Sequence, residues 1–127
     1  MTALAAMTAL VVDDSAAMRR QLGFALERIG LHAVEAQDGA DAWRRLQGSP
    51  VDIIVTDINM PVLDGLKLIA LVRAAGSHRR TPVVVITTEG ADADRRRAVS
   101  LGANGYLVKP VQSQQVVELV KQLLGVG

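Results

Sequence analysis

Residues 51–65 have the sequence VDIIVTDINMPVLDG. The opening run is apolar and largely β-branched, which is typical of a short strand buried on both faces, as in a parallel sheet. This strand is predicted to carry Thr56 and Asp57 at its carboxyl end. Pro61 indicates a turn, and Asp64 is placed to cap the helix that follows. The stretch therefore predicts a strand that leads through a turn into a helix.

The same alternation extends over the rest of the chain. Further strands are predicted at residues 10–12, 83–86 and 106–108, with a weaker, alternating one at residues 32–36. Apolar residues at helical spacing predict helices between and after the strands, around residues 18–29, 40–46, 66–72, 91–101 and 112–124. Five alternations of strand and helix predict an α/β fold of three layers, with a doubly wound parallel sheet.

Two helices have particular features in the sequence. Asp38 is predicted to cap the second helix. The fourth helix has a sparse apolar stripe, in which Ala98 and Val99 are expected to point inward. Such a stripe suits an element of low local stability.

Composition limits the class of protein. The chain has 127 residues, half of them hydrophobic, but only one Trp, one Tyr and one Phe, so the core of a single domain must be aliphatic. Its net charge of +1 argues against a dedicated nucleic-acid binder. It has no cysteine, which fits a reducing cytoplasm, and no apolar run of about 18 residues that would span a membrane. We expect residues 1–7 to form a flexible tail and residues 8–125 to form the domain.

Polar residues follow four of the predicted strands. Asp13 and Asp14 follow the first, Asp57 ends the third, Thr87 ends the fourth, and Lys109 follows the fifth. Ligands of open parallel sheets bind outside the carboxyl ends of the strands. We therefore expect these side chains to meet at one edge of the sheet.

This set of groups suits phosphoryl transfer onto a carboxylate. Three neighbouring carboxylates repel one another, and a hard cation such as Mg²⁺ with oxygen ligands relieves the repulsion. A carboxylate can act as a nucleophile and form an aspartyl-phosphate. Lys109 and the hydroxyl of Thr87 would each neutralise or hydrogen-bond one phosphoryl oxygen.

Each residue taken singly also has an ordinary explanation. Asp13, Asp14 or Ser15 could be only a helix cap, Thr87 a plain strand residue, and Lys109 a solvated surface lysine. Their joint placement at the strand ends favours the functional interpretation.

Five motifs resemble the receiver domains of response regulators, within them the chemotaxis CheY type. The resemblance covers nearly the whole chain and rests on VVDDSAAMRR (11–20), DGADAW (38–43), DIIVTDINMPVLDG (52–65), TPVVVITTEG (81–90) and LGANGYLVKP (101–110). It implies the flavodoxin-like strand order 2-1-3-4-5. It also implies that Asp57 is the phosphoacceptor.

The resemblance implies further roles. Asp13, Asp14 and Asp57 would bind Mg²⁺ with the backbone carbonyl of Asn59. Thr87 and Lys109 would sense the phosphate, and Tyr106 would be the switch aromatic. The peptide bond between Lys109 and Pro110 would be cis.

The expected function is a phosphorylation-activated switch of a two-component system, in chemotaxis or motility, that catalyses only its own phosphorylation and dephosphorylation. The donor would be a histidine kinase or phosphotransfer protein. The target would be a protein such as a motor switch or a kinase, with no nucleic acid or membrane involved. We expect a cytoplasmic monomer, with phosphorylation-dependent dimerisation as an alternative. Two other functions stay open: an aspartate-nucleophile phosphatase, and an interaction module that is not phosphorylated.

The three arginines at residues 95–97 are interpreted as a solvated helix face, because Asp92 and Asp94 give that surface mixed charge. A contact with a partner protein is the alternative, because the run lies on the expected switch face.

Overall fold

The computed structural model describes residues 4–74, 76–87 and 92–125. Strands and helices alternate within them after a single 3-10 turn at Leu4–Ala6. The strands are β1 (Thr8–Val12), β2 (His32–Ala36), β3 (Ile53–Asp57), β4 (Val83–Thr87) and β5 (Gly105–Val108). The helices are α1 (Ala16–Arg28), α2 (Gly39–Gly48), α3 (Gly65–Ala74), α4 (Asp92–Leu101) and α5 (Ser113–Leu123). None of these helices has the length and apolar character needed to cross a bilayer.

The strands form one parallel sheet in the order β2-β1-β3-β4-β5, which confirms the predicted doubly wound fold. Asp57 pairs with Ile86, and Thr87 pairs with Val108. The carboxyl ends of β3, β4 and β5 are therefore level with one another at one edge of the sheet.

Two apolar clusters cover the two faces of the sheet. Successive residues of a strand point to opposite faces, so Leu10 and Ile54 enter the cluster under α2, α3 and α4, while Val11 and Val55 enter the cluster under α1 and α5. Both faces of the central strands are covered, which explains their continuous apolar runs. Each fully buried aliphatic side chain stabilises the fold by roughly 1.5–3 kcal/mol relative to exposure. Trp43 packs at the margin of the first cluster.

Three polar residues cap the first turns of helices. Ser15 caps α1 by accepting the Met18 N–H at 3.2 Å, which leaves Asp13 and Asp14 for another purpose. Asp38 caps α2, and Asp64 accepts the Lys67 N–H at 2.9 Å at the start of α3; both were predicted.

The sequence analysis was wrong about one side of α4. Ala98 is fully buried, but Val99 is 57% exposed. Consecutive helical residues lie about 100° apart around the axis, so only one of the two can face the sheet. Residue 91, where we expected this helix to begin, lies outside the described residues.

The packed region includes residues before β1. Leu4 and Met7 lie against the second apolar cluster, and the Met7 carbonyl accepts the His32 N–H at 3.0 Å. Residues 1–3 lie outside the described part of the chain. The domain bounds of 8–125 remain a prediction.

His78 is a buried histidine at the opposite edge of the sheet from the strand carboxyl ends. Its Nε2 accepts the backbone N–H of Val51 at 3.1 Å, so that nitrogen carries no proton in the folded state. His78 is 7% exposed, and burial lowers its pKa.

We expect the protein to lose stability as the pH falls below about 6.5, the ordinary histidine pKa. The unfolded chain binds a proton at His78 more readily than the folded chain, so the loss continues until the pH passes the lower folded-state pKa. Its slope is at most about 1.4 kcal/mol per pH unit.

Urea unfolding at about pH 7.5 and about pH 5.5, on either side of that pKa, measures the effect. His78→Gln keeps a side-chain acceptor but does not titrate, so it should remove most of this pH dependence. His32→Gln, at an exposed histidine, is the control and should retain it. An unchanged pH dependence in His78→Gln would contradict the assignment.

Candidate functional site

The structure brings together acidic residues from the ends of β1 and β3. One carboxylate oxygen from each of Asp13, Asp14 and Asp57 lies within 4.8 Å of the other two. Asp13 and Asp57 are buried, at 1% and 4% exposure, whereas Asp14 is exposed. A group of oxygen donors with one open side is suited to a hard divalent cation.

Lys109 completes the site from the end of β5. Its Nζ donates to Asp57 Oδ2 at 3.0 Å. Burial lowers the pKa of Lys109, but the hydrogen bond from Lys109 to Asp57 and the charges of Asp57, Asp13 and Asp14 outweigh burial and raise it overall. The ammonium is therefore held in its charged form. Its backbone N–H donates to the Thr87 carbonyl at 2.7 Å, and its peptide bond to Pro110 is cis, as the resemblance implied.

The surroundings of Asp13 disfavour its charged form. Burial raises its pKa, and the charges of Asp57 and Asp14 act in the same direction. The Ser15 N–H, which donates to Asp13 Oδ1 at 2.8 Å, and the charge of Lys109 oppose this without reversing it. A further positive charge at the same place would relieve the repulsion within the acidic cluster.

Two buried polar atoms at this edge have no hydrogen-bond partner. They are Asp57 Oδ1 and Thr87 Oγ1, and no other side-chain N or O atom in the described part of the chain shares this condition. Leaving such a group unpaired costs about 1–3 kcal/mol. Both atoms belong to strand-end residues that the sequence analysis singled out, so the site fits a cation for the carboxylate and a ligand oxygen for the hydroxyl.

Asn59 and Tyr106 make no hydrogen bond with these groups among the described residues. Asn59 is exposed in the loop two residues after Asp57, and its role remains a prediction. Tyr106 is half-buried in β5, paired in register with Val85. The guanidinium carbon of Arg95 lies 5.2 Å from the centroid of its ring, a cation–π contact that the sequence analysis missed.

Two residues that hold the backbone of the site were also missed. Arg19 Nη1 donates to the Asp13 carbonyl at 2.7 Å, and Thr56 Oγ1 donates to the Asp57 carbonyl at 2.9 Å. The Thr56 bond joins neighbouring residues, whereas the Arg19 bond depends on how α1 packs against the loop after β1 and has no signal in local spacing.

Comparison with known proteins identifies what this arrangement resembles. The family model described as "Response regulator receiver domain" matches residues 9–121. The chain is 41% identical over 123 residues to the "Chemotaxis protein CheY homolog" of Campylobacter jejuni, covering 95% of each chain. It is 40% identical over 121 residues to the "Chemotaxis protein CheY1" of Helicobacter pylori, covering 94% of this chain and 98% of that one.

Solved structures agree with the sequence relatives. The chemotaxis response regulator CheY4 of Vibrio cholerae superposes with a TM-score of 0.86 at 30% identity, covering 92% of this chain and 98% of that one. A structure described as a putative response regulator from Chloroflexus aurantiacus gives a TM-score of 0.88 at 28% identity, covering 94% and 98%.

Gly65 lies directly against the backbone of Asp57. Its N–H donates to the Ile58 carbonyl at 2.9 Å. A Cβ atom on Gly65 would lie 2.3 Å from the Asp57 carbonyl oxygen and 3.0 Å from Ile58 Cα. Only glycine lets the first turn of α3 approach the strand end this closely.

We expect Gly65→Ala to lower the free energy of unfolding by about 2 kcal/mol, because backbone atoms must move to admit the methyl group. The matched control is Gly48→Ala at the end of α2, where an added Cβ would meet nothing within 4 Å. That variant should gain up to about 0.5 kcal/mol from helix propensity. Urea denaturation measures both, and equal stability of the two variants would contradict the close approach.

Proposed function

Because this chain belongs to the family of response regulator receiver domains, we propose that Asp57 accepts its phosphoryl group. The protein is a phosphorylation-activated switch of a two-component system, and a signalling protein rather than a classical enzyme. The observation that carries the assignment is the contact at 3.0 Å between Lys109 Nζ and Asp57 Oδ2, beside the unpartnered Asp57 Oδ1 and Thr87 Oγ1.

The donor determines which bonds form and break in the phosphoryl transfer. A carboxylate oxygen of Asp57 attacks the phosphorus of a phosphohistidine on a histidine kinase or phosphotransfer protein. A P–O bond forms, the P–N bond breaks, and its electron pair leaves with the imidazole. Lys109 neutralises charge on one phosphoryl oxygen, and the Thr87 hydroxyl donates to another. The same groups would serve autodephosphorylation, with water as the nucleophile.

Asp13, Asp14 and Asp57 would hold Mg²⁺, together with the backbone carbonyl of Asn59. When bound, the ion supplies positive charge that offsets the three carboxylates and the phosphoryl oxygens. Two observations support this assignment. The three carboxylates form a cluster, and burial together with the neighbouring negative charges raises the pKa of Asp13.

Phosphorylation would reach the surface through Thr87 and Tyr106. Movement of Thr87 toward the phosphoryl group would vacate space behind it, and the Tyr106 ring would turn inward. Reversing a 1:99 population takes about 5.5 kcal/mol, which two or three charge-assisted hydrogen bonds of roughly 1.5–3 kcal/mol each can supply. The Arg95 contact on the Tyr106 ring would break in this transition, which changes the surface formed by α4 and β5.

The biological setting follows from the relatives that are named as chemotaxis proteins. We assign this chain to a chemotaxis or motility pathway, in which a monomer in the cytoplasm signals to a target such as a motor switch or a kinase. The receiver would occupy residues 8–125. No comparison supports the phosphatase that acts on a free substrate, or the interaction module that is not phosphorylated.

Phosphorylation is tested by intact mass. We expect the wild type to gain one phosphoryl group when incubated with acetyl phosphate and Mg²⁺. It should gain none when the metal is chelated before the donor is added. Asp57→Asn should gain none, because an amide is not a nucleophile here. Asp92→Asn, at an exposed acid of α4, is the control and should behave as the wild type. Phosphorylation of Asp57→Asn to the wild-type extent would contradict the assignment.

The role of Tyr106 is tested separately from phosphorylation. We expect Tyr106→Ala to be phosphorylated to the wild-type extent, since the ring does not belong to the acidic cluster. Amide spectra of ¹⁵N-labelled protein, with and without the donor, should show shifts across α4 and β5 in the wild type and much smaller ones in the variant. Parallel loss of phosphorylation and of the distant shifts would refute this division of roles.

A further inference from the structure

We infer that Arg19 is a positioning residue that holds the loop after β1 in the shape needed to bind the divalent cation. The inference rests on the proposed metal site and extends it to a residue outside the acidic cluster. Arg19 does not itself contact the ion.

Arg19 lies in α1 and binds the backbone of the loop after β1, residues 13–15. Its Nη1 donates to the carbonyl of Asp13 at 2.7 Å, and its Nε donates to Glu35 Oε1 at 3.1 Å. The Arg19 side chain is only 17% exposed, whereas that of Glu35 is 40% exposed. The guanidinium thus spans from the edge strand β2 to the residue that supplies a carboxylate.

The contact completes the restraint of Asp13. The Asp13 N–H donates to the Ala36 carbonyl at 3.2 Å, and Asp13 Oδ1 accepts the Ser15 N–H at 2.8 Å. With the carbonyl held by Arg19, both ends of this residue's backbone and one carboxylate oxygen are fixed. Asp13 Oδ2 accepts no hydrogen bond from a described residue and is left for the cation.

This restraint opposes repulsion within the cluster. Asp13, Asp14 and Asp57 carry like charges within 4.8 Å, so a loose loop would move Asp13 and Asp14 away from Asp57. Holding the carbonyl of Asp13 keeps the loop in place before any ion arrives. Groups that orient metal ligands in this way typically change metal affinity by about 10–100-fold when they are removed.

Charge alone predicts the opposite effect from positioning. A guanidinium near a cation site repels the cation, so its removal should tighten binding if its charge were all that mattered. If Arg19 acts by positioning, its removal should weaken binding. The direction of the change in Mg²⁺ affinity therefore separates the two roles.

The experiment measures Mg²⁺ binding by isothermal titration calorimetry with the full chain. The variants are Arg19→Met, which removes charge and hydrogen bonds, and Arg19→Lys, which keeps the charge but loses the planar fork. The matched control is Arg20→Met, at the neighbouring exposed arginine, which makes no hydrogen bond or ion pair with the described residues. We expect Kd to rise about tenfold in Arg19→Met and to a smaller extent in Arg19→Lys, with Arg20→Met within about twofold of the wild type.

A second measurement guards against loss of the fold. The difference between unfolding free energies with and without saturating Mg²⁺ reports binding even for a destabilised variant. This difference should shrink in both Arg19 variants and remain in Arg20→Met.

The outcomes are distinct. Unchanged or tighter binding in Arg19→Met overturns the positioning role while the metal site stands. Equal weakening in Arg20→Met also overturns it, because the effect would not depend on the contact with Asp13. A wild type that binds no Mg²⁺ overturns the metal site and this inference together. If the Arg19 variants are less stable but Mg²⁺ raises their unfolding free energy as much as that of the wild type, Arg19 has a purely structural role and the inference is rejected.

Discussion

Mutual repulsion among three carboxylates at the edge of the sheet is the constraint on which the rest of the site depends. Asp13, Asp14 and Asp57 lie close enough to share one ion, and two of them are buried. Lys109 provides one compensating charge, and the hydrogen bond to Asp57 together with the charges of the acids raises the pKa of Lys109. Groups that repel one another stay together only if the surrounding backbone is rigid, so much of the local structure acts to hold them.

Contacts to the backbone of the acids add to this rigidity, beside the hydrogen bonds that Lys109 and Ser15 donate to the side chains of Asp57 and Asp13. Arg19 binds the Asp13 carbonyl, Thr56 binds the Asp57 carbonyl, and Gly65 allows α3 to close on the same strand end. Parallel pairing adds to this, because the register of β3, β4 and β5 leaves their last residues level. The acids are thereby held in fixed positions, which would lower the reorganisation required by the phosphoryl transfer proposed above.

The same pairing connects the site to a distant surface. Thr87 ends β4 with its hydroxyl unpartnered, and Tyr106 lies in the neighbouring strand beneath Arg95. α4 covers this region with few buried side chains, since Ala98 is its buried residue in the described chain and Val99 faces outward. An element with so little apolar anchorage can shift without disrupting the core.

The sequence by itself determined the number and order of the elements, the doubly wound parallel sheet and the strand-end residues, because these depend on local periodicity and on general rules for parallel sheets. The strand order came from the resemblance to receiver domains. The sequence also determined the caps at Asp38 and Asp64, since a cap involves residues only a few positions apart. Only the tertiary structure decided that Val99 faces solvent and that Arg19 holds the loop after β1. These features depend on which helix face meets the sheet and on contacts between strands and helices, and such contacts leave no regular spacing in the sequence.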